Sequence, residues 1–436
     1  MKRRDGSFTG QNWLRSFMFT IYGTSVLAIS YFPLFYSHLG FSSAQVGYLY
    51  SLGPLISILS NLFWSMISDR LGTIRKIMVI LLGGQLGAAV MLSQATEFSS
   101  VMVILSFFYF FYYPVFPLSD TMAIKIAERL GRNFITIRLF GSIGYAFFAL
   151  TIGYLLRALG TSWSVYLCII IILISLFTAW MLQDTKPEKR SSTINNSEME
   201  VTPQTGSKSE GIRQILFKKE VLWFFGCVFL LALGHRMNEA FLTVSMKQLG
   251  AGAELIGWAL LVSALSEIPV LFLLGKYGDR FKELPLLALA SLMYAIRFLL
   301  MASVHHPGGM IAIQLMHSIT FGVFYVTAVR YITRIIPDHL RATGMAIFTI
   351  IWSSVSGLLS GTFGGMIFQE AGLAPFYRVA MLLSIVACAG FFAKYWLESD
   401  GEFSLTPWKR LSRAKRPKVP AAQTSAEASH LEEVTL

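Results

Sequence analysis

The sequence predicts an all-α membrane protein in which twelve transmembrane helices form two six-helix halves. Three observations lead to this prediction. The 436-residue chain is 54% hydrophobic and only 14% charged, whereas soluble domains carry about 25% charged residues. Twelve apolar segments reach the roughly 20 residues that a helix needs to cross a bilayer. A long polar stretch follows the sixth segment, and parts of the first six segments recur in the last six.

The predicted spans begin and end where apolar residues give way to polar turns. In chain order they cover 13–39, 46–67, 77–95, 101–123, 137–156, 165–182, 221–246, 255–274, 284–304, 310–333, 343–368 and 375–397. The polar stretch at 183–220 is rich in Ser, Thr, Lys and Glu, which predicts a flexible linker. The predicted domains are a six-helix bundle at 1–182, the linker at 183–220, a second bundle at 221–398 and a disordered tail at 399–436.

The composition also argues against several classes of protein. Three cysteines, Cys168, Cys227 and Cys388, are scattered in apolar segments and predict neither a disulfide framework nor a metal site. The net charge of +12 is spread over the turns between spans, so we expect a lipid bilayer and no nucleic acid as a partner. No nucleophile–base pair or phosphate-binding loop is present. We therefore expect no enzyme activity, no cofactor and no metal.

Basic residues predict the orientation of the chain in the membrane. They concentrate in the N-terminal arm, in alternate loops and in the two long polar segments, and the opposite loops carry few of them. Basic loops remain on the cytoplasmic side, so both termini are expected there, as an even number of spans also requires. The first apolar segment has no cleavage site after it and is expected to be retained. The expected location is the cell (cytoplasmic) membrane, with the chain crossing it many times.

An internal repeat supports the division into two halves. HLGFSSAQVGYL, which begins at His38, aligns with QLGAGAELIGWA, which begins at Gln248, at an offset of about 210 residues. The same offset places Gly40 on Gly250 and the Asp-Arg pair at 69–70 on the pair at 279–280. Because six helices separate equivalent points, the two halves are expected to lie parallel in the membrane.

These repeated turns resemble the signature loops of the major facilitator superfamily. SMISDRLGTIRK at 65–76 and GKYGDRF at 275–281 are similar to its Gly-x-x-x-Asp-Arg loop, although the first copy has Ser65 in place of the leading glycine. IIPDHLRATG is similar to the matching loop after the tenth helix. The resemblance implies the major facilitator fold and a gating role for five residues in these loops. These residues are Asp69, Arg70, Asp279, Arg280 and Arg341. Alternatively, the loops are ordinary hydrophilic turns.

A closer resemblance is to the branch that holds lactose permease, the nucleoside:proton symporters and the phenylpropionate permeases. Asp120 is the only charge between Val101 and Lys125, and Arg138 follows it by 18 residues, with Tyr145 a further seven residues on. The spacing is similar to that of a carboxylate, an arginine and an aromatic ring in lactose permease. The resemblance implies that Asp120 and Arg138 hydrogen-bond the substrate and that Tyr145 stacks on its ring. Alternatively, Asp120 lies near the membrane surface and reaches water.

Further polar residues interrupt the apolar spans of the second half, where charges are costly and mark functional sites. By their spacing several of them resemble the polar residues of the phenylpropionate permease. The candidates for substrate binding are His235 and Asn238, and those for proton coupling are Glu239, Glu267, Arg297 and His317. Alternatively, the histidines only join helices, Arg236 simply pairs with Glu239, and Glu267 with Arg297 forms a static bridge.

The candidate proton carrier differs from that of lactose permease. There a glutamate three residues after the histidine carries the proton, and here that position is Thr320. A proton carrier needs a carboxylate whose charge responds to a dry site and to a nearby guanidinium. We therefore expect Glu267, with Arg297 near it, or Glu239 to take that role.

The function expected from these features is secondary transport. The leading hypothesis is uptake of a small hydrophilic solute, such as a sugar or a nucleoside, together with a proton by alternating access, in a protein that acts as a monomer. An aromatic acid is the alternative substrate. Proton-driven efflux is disfavoured because the fifth span, RLFGSIGYAFFALTIGYLL, contains no proline. A non-transporting membrane sensor is the alternative from another class, and the charged residues kept inside the spans count against it.

Overall fold

A computed structural model describes residues 2–71, 73–130, 135–182, 217–337 and 340–398. Within these ranges the chain forms helices joined by short turns, and no strand occurs in them. The predicted tail at 399–436 lies outside the described residues. So does the predicted linker at 183–220, except for its last four positions.

Twelve helices among the described residues are long and apolar enough to cross a membrane. They are α1 (Asn12–His38), α2 (Ser43–Ser68), α3 (Ile74–Leu92), α4 (Phe98–Ala127), α5 (Ile137–Leu159), α6 (Thr161–Trp180), α7 (Lys219–Gln248), α8 (Ala253–Leu274), α9 (Glu283–Ser303), α10 (Pro307–Ile335), α11 (Thr343–Ala371) and α12 (Leu373–Glu398). Each overlaps one predicted span, so the predicted all-α class with twelve transmembrane helices is confirmed.

Four of the helices are irregular near their middle. In α4 one helical segment ends at Tyr112 and the next begins at Val115, on either side of Pro114. Proline has no backbone N–H and clashes with the preceding turn, which explains the break. π-helical turns, each with one residue more than an α-helical turn, occupy Val26–Tyr31 in α1, Ser318–Gly322 in α10 and Ile350–Val355 in α11. Such turns often occur at functional sites.

The helices pack as two equivalent bundles. In the first half α1 packs on α5, α2 on α4 and α3 on α6, and in the second half α7 packs on α11, α8 on α10 and α9 on α12. Gly40 and Gly250, which the repeat aligns, both have a φ of 86°. A positive φ favours glycine, so the same turn is built twice. The predicted arrangement in two six-helix halves is therefore confirmed.

The halves meet along a closed seam made by α2 against α11 and α5 against α8. A Cβ atom on Gly47 would lie 3.0 Å from the Gly365 Cα, and one on Gly257 would lie 2.6 Å from the Ala149 carbonyl oxygen. The backbones of these helices are thus in direct contact, as small residues allow in membrane proteins. The hydroxyl of Tyr31 donates to the Ala149 carbonyl at 2.8 Å and lies 3.4 Å from that of Ala253.

The seam lies toward one end of the molecule, which we call the closed end. This end carries the turns at 39–42 and 249–252, and Arg157 and Glu254 form an ion pair of 3.4 Å across it. The opposite end carries the basic turns that contain Arg70 and Arg280, and we call it the open end. The backbone of Ala44 in α2 also donates to the side chain of Gln369 in α11 at 3.1 Å, so hydrogen bonds as well as close packing join the halves at the closed end.

Candidate functional site

A cavity of about 360 Å³ lies between the two halves. The first half lines it with α1 and α5, and the second half lines it with α7, α8, α9 and α10. Seven of the predicted site residues line it: Tyr145, His235, Asn238, Glu239, Glu267, Arg297 and His317. Residues that lie far apart in the sequence therefore surround one space, and both halves contribute to it.

Three of these residues form a chain of hydrogen bonds through His317. Nε2 of His317 lies 2.8 Å from Oε1 of Glu267, and its Nδ1 lies 3.1 Å from Nη1 of Arg297. A guanidinium can only donate, so Nδ1 of the neutral ring accepts and Nε2 carries the hydrogen that Glu267 accepts. Arg297 thus lies near Glu267, as expected, but the alternative of a static bridge between the two is not seen, because the imidazole of His317 lies between them.

Arg297 is 1% exposed, and neutral acceptors surround its guanidinium. Nη2 donates to Oε1 of Gln314 at 2.6 Å, and Nη1 donates to the hydroxyl of Thr320 at 3.1 Å. Thr320, three residues after His317, thus serves as a hydrogen-bond acceptor for the guanidinium. Because a buried cation needs hydrogen bonds to replace water, these acceptors explain how the charge is held inside the bundle.

His235 and Asn238 stand on α7 beside this chain. Nδ1 of His235 lies 3.0 Å from the Tyr294 hydroxyl, and the ring stacks on Trp352 with centroids 5.0 Å apart. The Asn238 side-chain oxygen accepts a hydrogen bond from Tyr377 at 3.2 Å. Both residues are therefore fixed by neighbours in the second half while they face the cavity.

Glu239 and Arg236 form the ion pair that their spacing on one helix suggested. Arg236 also donates to the Trp352 carbonyl at 3.0 Å and to the Ser353 hydroxyl at 2.7 Å. Glu239 accepts a further hydrogen bond of 3.1 Å from Tyr50, which belongs to α2 in the first half. The carboxylate of Glu239 therefore contacts both halves of the molecule.

Asp120 and Arg138 form a separate pair that is not among the residues lining the cavity. Nη1 of Arg138 lies 3.9 Å from Oδ2 of Asp120, and the side chains are 55% and 30% exposed, respectively. Tyr22 lines the cavity and lies within electrostatic range of both charges. The pair thus flanks the cavity, and Tyr145 is the member of the predicted first-half triad that reaches it.

The predicted gating residues lie at the open end. Arg70 and Arg341 are exposed, and the guanidinium of the exposed Arg280 lies 4.9 Å from the centroid of the Tyr277 ring. The side chains of Asp69 and Asp279 lie outside the described residues. The gating role of these five residues stays a prediction.

Sequence analysis missed several uncharged groups of the site. Thr243 and Gln314 line the cavity, and both are nearly fully buried. Oγ1 of Thr243, Nε2 of Gln314 and Nε of Arg297 make no hydrogen bond within the protein. A buried polar atom without a partner is costly, so three beside one cavity indicate a place where a polar ligand binds. Uncharged polar residues are common in apolar spans, and no spacing set these apart.

Metal ligands were not expected, and the described residues contain no group of three or more His, Cys, Asp or Glu side chains suited to a metal ion. The three cysteines are free.

Comparison with known proteins places the chain in a family. The model of the MFS_1 like family matches residues 12–379. A putative nucleoside transporter, YegT, of Escherichia coli strain K12 is 25% identical over 400 residues, which cover 85% of this chain and 90% of YegT. A maltose permease of Geobacillus stearothermophilus is 24% identical over 348 residues, which cover 79% of this chain and 84% of the permease.

A solved structure has the same fold. The crystal structure of the nucleoside transporter NupG superposes with a TM-score of 0.71 at 15% identity, covering 89% of this chain and 98% of NupG. With a family match over most of the chain and twelve membrane-spanning helices in two halves, the protein belongs to the MFS_1-like family of the major facilitator superfamily and is a multi-pass secondary transporter.

Proposed function

We propose that the protein takes up a small hydrophilic solute, such as a sugar or a nucleoside, together with a proton. The observation that carries this proposal is the chain Glu267–His317–Arg297 beside a cavity that both halves line. A cavity between two halves that meet at one end is what alternating access requires, since rocking of the halves would expose it to each side in turn.

Among the candidate carboxylates, Glu267 is best suited to carry the proton. Glu239 is paired with Arg236, and Asp120 has Arg138 as its partner. The hydrogen-bond partner of Glu267 is instead His317, which is neutral in this arrangement. A carboxylate beside a guanidinium stays ionised, whereas one beside a neutral group can gain and lose a proton. Protonation of Glu267 would weaken the hydrogen bond that it accepts from His317 and so loosen the chain to Arg297.

A polar, ring-containing solute fits the remaining groups of the cavity. Thr243, Gln314 and Arg297 each offer an unpartnered polar atom that a hydroxyl or carbonyl oxygen could satisfy. The rings of Tyr145 and Phe321 line the same space and offer apolar faces on which a flat substrate face could lie. The similarity to a putative nucleoside transporter and to a maltose permease supports this class of solute.

The distribution of basic residues predicts which side of the membrane the open end faces. Basic residues cluster in the turns at the open end, so we assign that end and both termini to the cytoplasm of a cell, with the protein in the cytoplasmic membrane. The conformation described here is then open to the cytoplasm and closed on the outside. The proposed organisation remains two bundles at 1–182 and 221–398 with a linker and a tail, in a monomer that uses no cofactor.

The test is accumulation of radiolabelled solutes in energised membrane vesicles. A panel of maltose, sucrose, uridine and 3-phenylpropionate is measured with and without a protonophore, for the wild type, for Glu267→Gln and for Glu97→Gln. Glu97 is exposed in the turn before α4 and serves as the matched control. We expect accumulation that the protonophore and Glu267→Gln abolish and that Glu97→Gln leaves intact.

Other outcomes separate the alternatives. Uptake that survives the protonophore would contradict proton coupling and leave a facilitator. Export of ethidium without uptake of any solute would replace import by efflux, and the absence of any movement would favour a sensor.

An aromatic acid is the second candidate substrate, and the aromatic wall of the cavity favours it. Phe321 stacks on His235 with centroids 5.2 Å apart, and the free Nε of Arg297 could donate to a carboxylate. In the same vesicles, uptake of 3-phenylpropionate that excess maltose and uridine fail to inhibit would favour this candidate.

A further inference from the structure

One hydrogen bond between the halves ends on a carboxylate of the cavity. Tyr50 of α2 donates to Oε2 of Glu239 of α7 at 3.1 Å, and Glu239 lines the cavity. The other described bonds between the halves, such as that from Ser51 to the Leu358 carbonyl and that from Trp258 to Tyr154, lie within the closed seam. The bond from Tyr50 therefore links the place where a solute would bind to the place where the halves touch.

The second half holds its side of this bond firmly. Arg236 binds the same Oε2 atom of Glu239 that accepts from Tyr50. The guanidinium is itself fixed by the Trp352 carbonyl and the Ser353 hydroxyl, both in the π-helical turn of α11. That turn frees a carbonyl from the normal helical pattern, and Arg236 satisfies it. The position of the Glu239 carboxylate is thus set by α7 and α11 together.

The first half places Tyr50 within the part of α2 that makes the seam. Gly47, one turn earlier, is in backbone contact with α11. Ser51, the next residue, donates to the Leu358 carbonyl at 2.9 Å and lies 3.0 Å from the Thr362 hydroxyl. Pro54, one turn later, packs against Gly357. Movement of Tyr50 away from Glu239 would therefore accompany separation of α2 from α11.

We propose that Tyr50 is a positioning residue that holds the seam closed through its hydrogen bond to Glu239. This hydrogen bond breaks when a ligand group binds the carboxylate in place of Tyr50. A carboxylate oxygen accepts about two hydrogen bonds, and Arg236 and Tyr50 already donate to Oε2, so a solute hydroxyl that binds this atom competes with the Tyr50 hydroxyl. Binding in the cavity then weakens a contact that keeps the closed end shut. This inference rests on the proposed transport function only for the identity of the competing ligand.

The experiment measures the opening of the closed end and requires neither a known solute nor a proton gradient. Spin labels are attached at Glu97→Cys and His306→Cys, two exposed positions in turns at the closed end of the first and second halves. The background has Cys168, Cys227 and Cys388 replaced by alanine. Pulsed electron–electron double resonance on the full chain in lipid nanodiscs then gives the distribution of distances between the labels.

Tyr50→Phe keeps the ring and removes the donor. We expect it to raise the ratio of the long-distance to the short-distance population by roughly tenfold, since a hydrogen bond to a charged group changes an equilibrium by at least about that factor. Tyr154→Phe is the matched control, because it removes a hydroxyl that accepts from Trp258 in the seam, 3.2 Å away and apart from the cavity. It is expected to change the ratio by less than about threefold.

A double-mutant cycle with Glu239→Gln separates the hydrogen bond from general packing. If Tyr50 acts through Glu239, the double variant opens no more than the more open of the two single variants. Unchanged distances in Tyr50→Phe, an equal effect of Tyr154→Phe, or additive effects in the cycle would each overturn the proposal. Because the labels report the conformation directly, failure of solute uptake would contradict the transport proposal and leave this result standing.

Discussion

The Asp120–Arg138 pair of the first half and the Glu267–His317–Arg297 chain of the second half look alike in the sequence and differ in the structure. Each combines a carboxylate with an arginine in otherwise apolar spans. The first pair is separated by 3.9 Å, and its arginine side chain is 55% exposed. In the second, Nε2 of His317 lies 2.8 Å from Glu267, and Arg297 is 1% exposed.

The difference shows that surroundings decide what a charge inside a span contributes. An exposed ion pair contributes about 0–1 kcal/mol and is weakened by salt. A buried charge that loses its partners costs about 3–5 kcal/mol, because water cannot replace them. The first-half pair should therefore tolerate substitution, whereas each member of the second-half chain should depend on the others.

The largest effect is expected from Arg297→Ala. The substitution leaves buried acceptors on Gln314, Thr320 and His317 without their donor and opens a cavity, so the unfolding free energy should fall by about 3–5 kcal/mol. The measurement is the thermal unfolding midpoint of the purified protein in detergent, with Arg297→Lys as the control. Lysine keeps the charge and loses the planar fork, so an intermediate midpoint is expected. An unchanged midpoint in the alanine variant would show that the stability of the protein depends no more on the second-half chain than on the first-half pair.

The next effect is expected from His317→Phe. A phenyl ring keeps the stacking on Phe321, whose centroid lies 5.2 Å away, and removes both nitrogens of the chain. Glu267 and Arg297 each lose a hydrogen-bond partner, so solute accumulation should fall by about tenfold to a hundredfold. The measurement is accumulation in energised vesicles, with the exposed His306→Phe as the control. Accumulation equal to that of the wild type would remove His317 from the coupling mechanism.

A smaller effect is expected from Asp120→Asn. The pair with Arg138 is long, its arginine is exposed and Asp120 is only partly buried, so the unfolding free energy should change by about 0–1 kcal/mol. Raising the salt concentration from 0.1 to 1 M should reduce even this difference, because the screening length falls from about 10 to 3 Å. Thermal unfolding at both salt concentrations measures it. A loss of accumulation as large as that of His317→Phe would abolish the contrast between the two halves and make Asp120 essential.

The smallest effect is expected from Arg157→Gln. Arg157 pairs with Glu254 at 3.4 Å across the closed end, and its side chain is mostly exposed. Glu254 is only 16% exposed, but the guanidinium that the substitution removes is solvent-exposed, so the unfolding free energy should change by less than about 0.5 kcal/mol. This value gives a baseline for an ion pair at the closed end, against which the Asp120 result is compared. A larger loss would indicate that the closed end depends on charge as well as on helix packing.

The fold could be predicted because its determinants are local. An apolar run of bilayer length is helical whatever its neighbours, since the lipid leaves no partner for free backbone groups. The repeat was equally visible, and Gly40 and Gly250 adopt the turn that their alignment predicts. Pairing within one helix turn, as between Arg236 and Glu239, also follows from spacing alone.

The site could be predicted only in part, because its contacts depend on helix rotation. The sequence identified the charged members of the cavity, but it did not place His317 between Glu267 and Arg297. The 3₁₀ and π-helical turns of α10 on either side of His317 interrupt the regular periodicity. Tyr50 was missed for a related reason. It contacts Glu239 across 189 positions of sequence, and a tyrosine in an apolar span does not by itself indicate a functional site.

The π-helical turn of α11 sets the angular phase of one end of that helix relative to the other. Side chains satisfy two carbonyls of this turn, since Ser356 donates to that of Ile351 at 2.7 Å and Arg236 to that of Trp352. Winding the same residues at 350–355 as a regular α-helix would rotate the two parts of α11 by about 100° relative to each other. Trp352 would then leave His235, or Gly357 would leave Pro54. The π-helical turn is thus required because one helix has to present two faces that an uninterrupted α-helix of the same length would misalign.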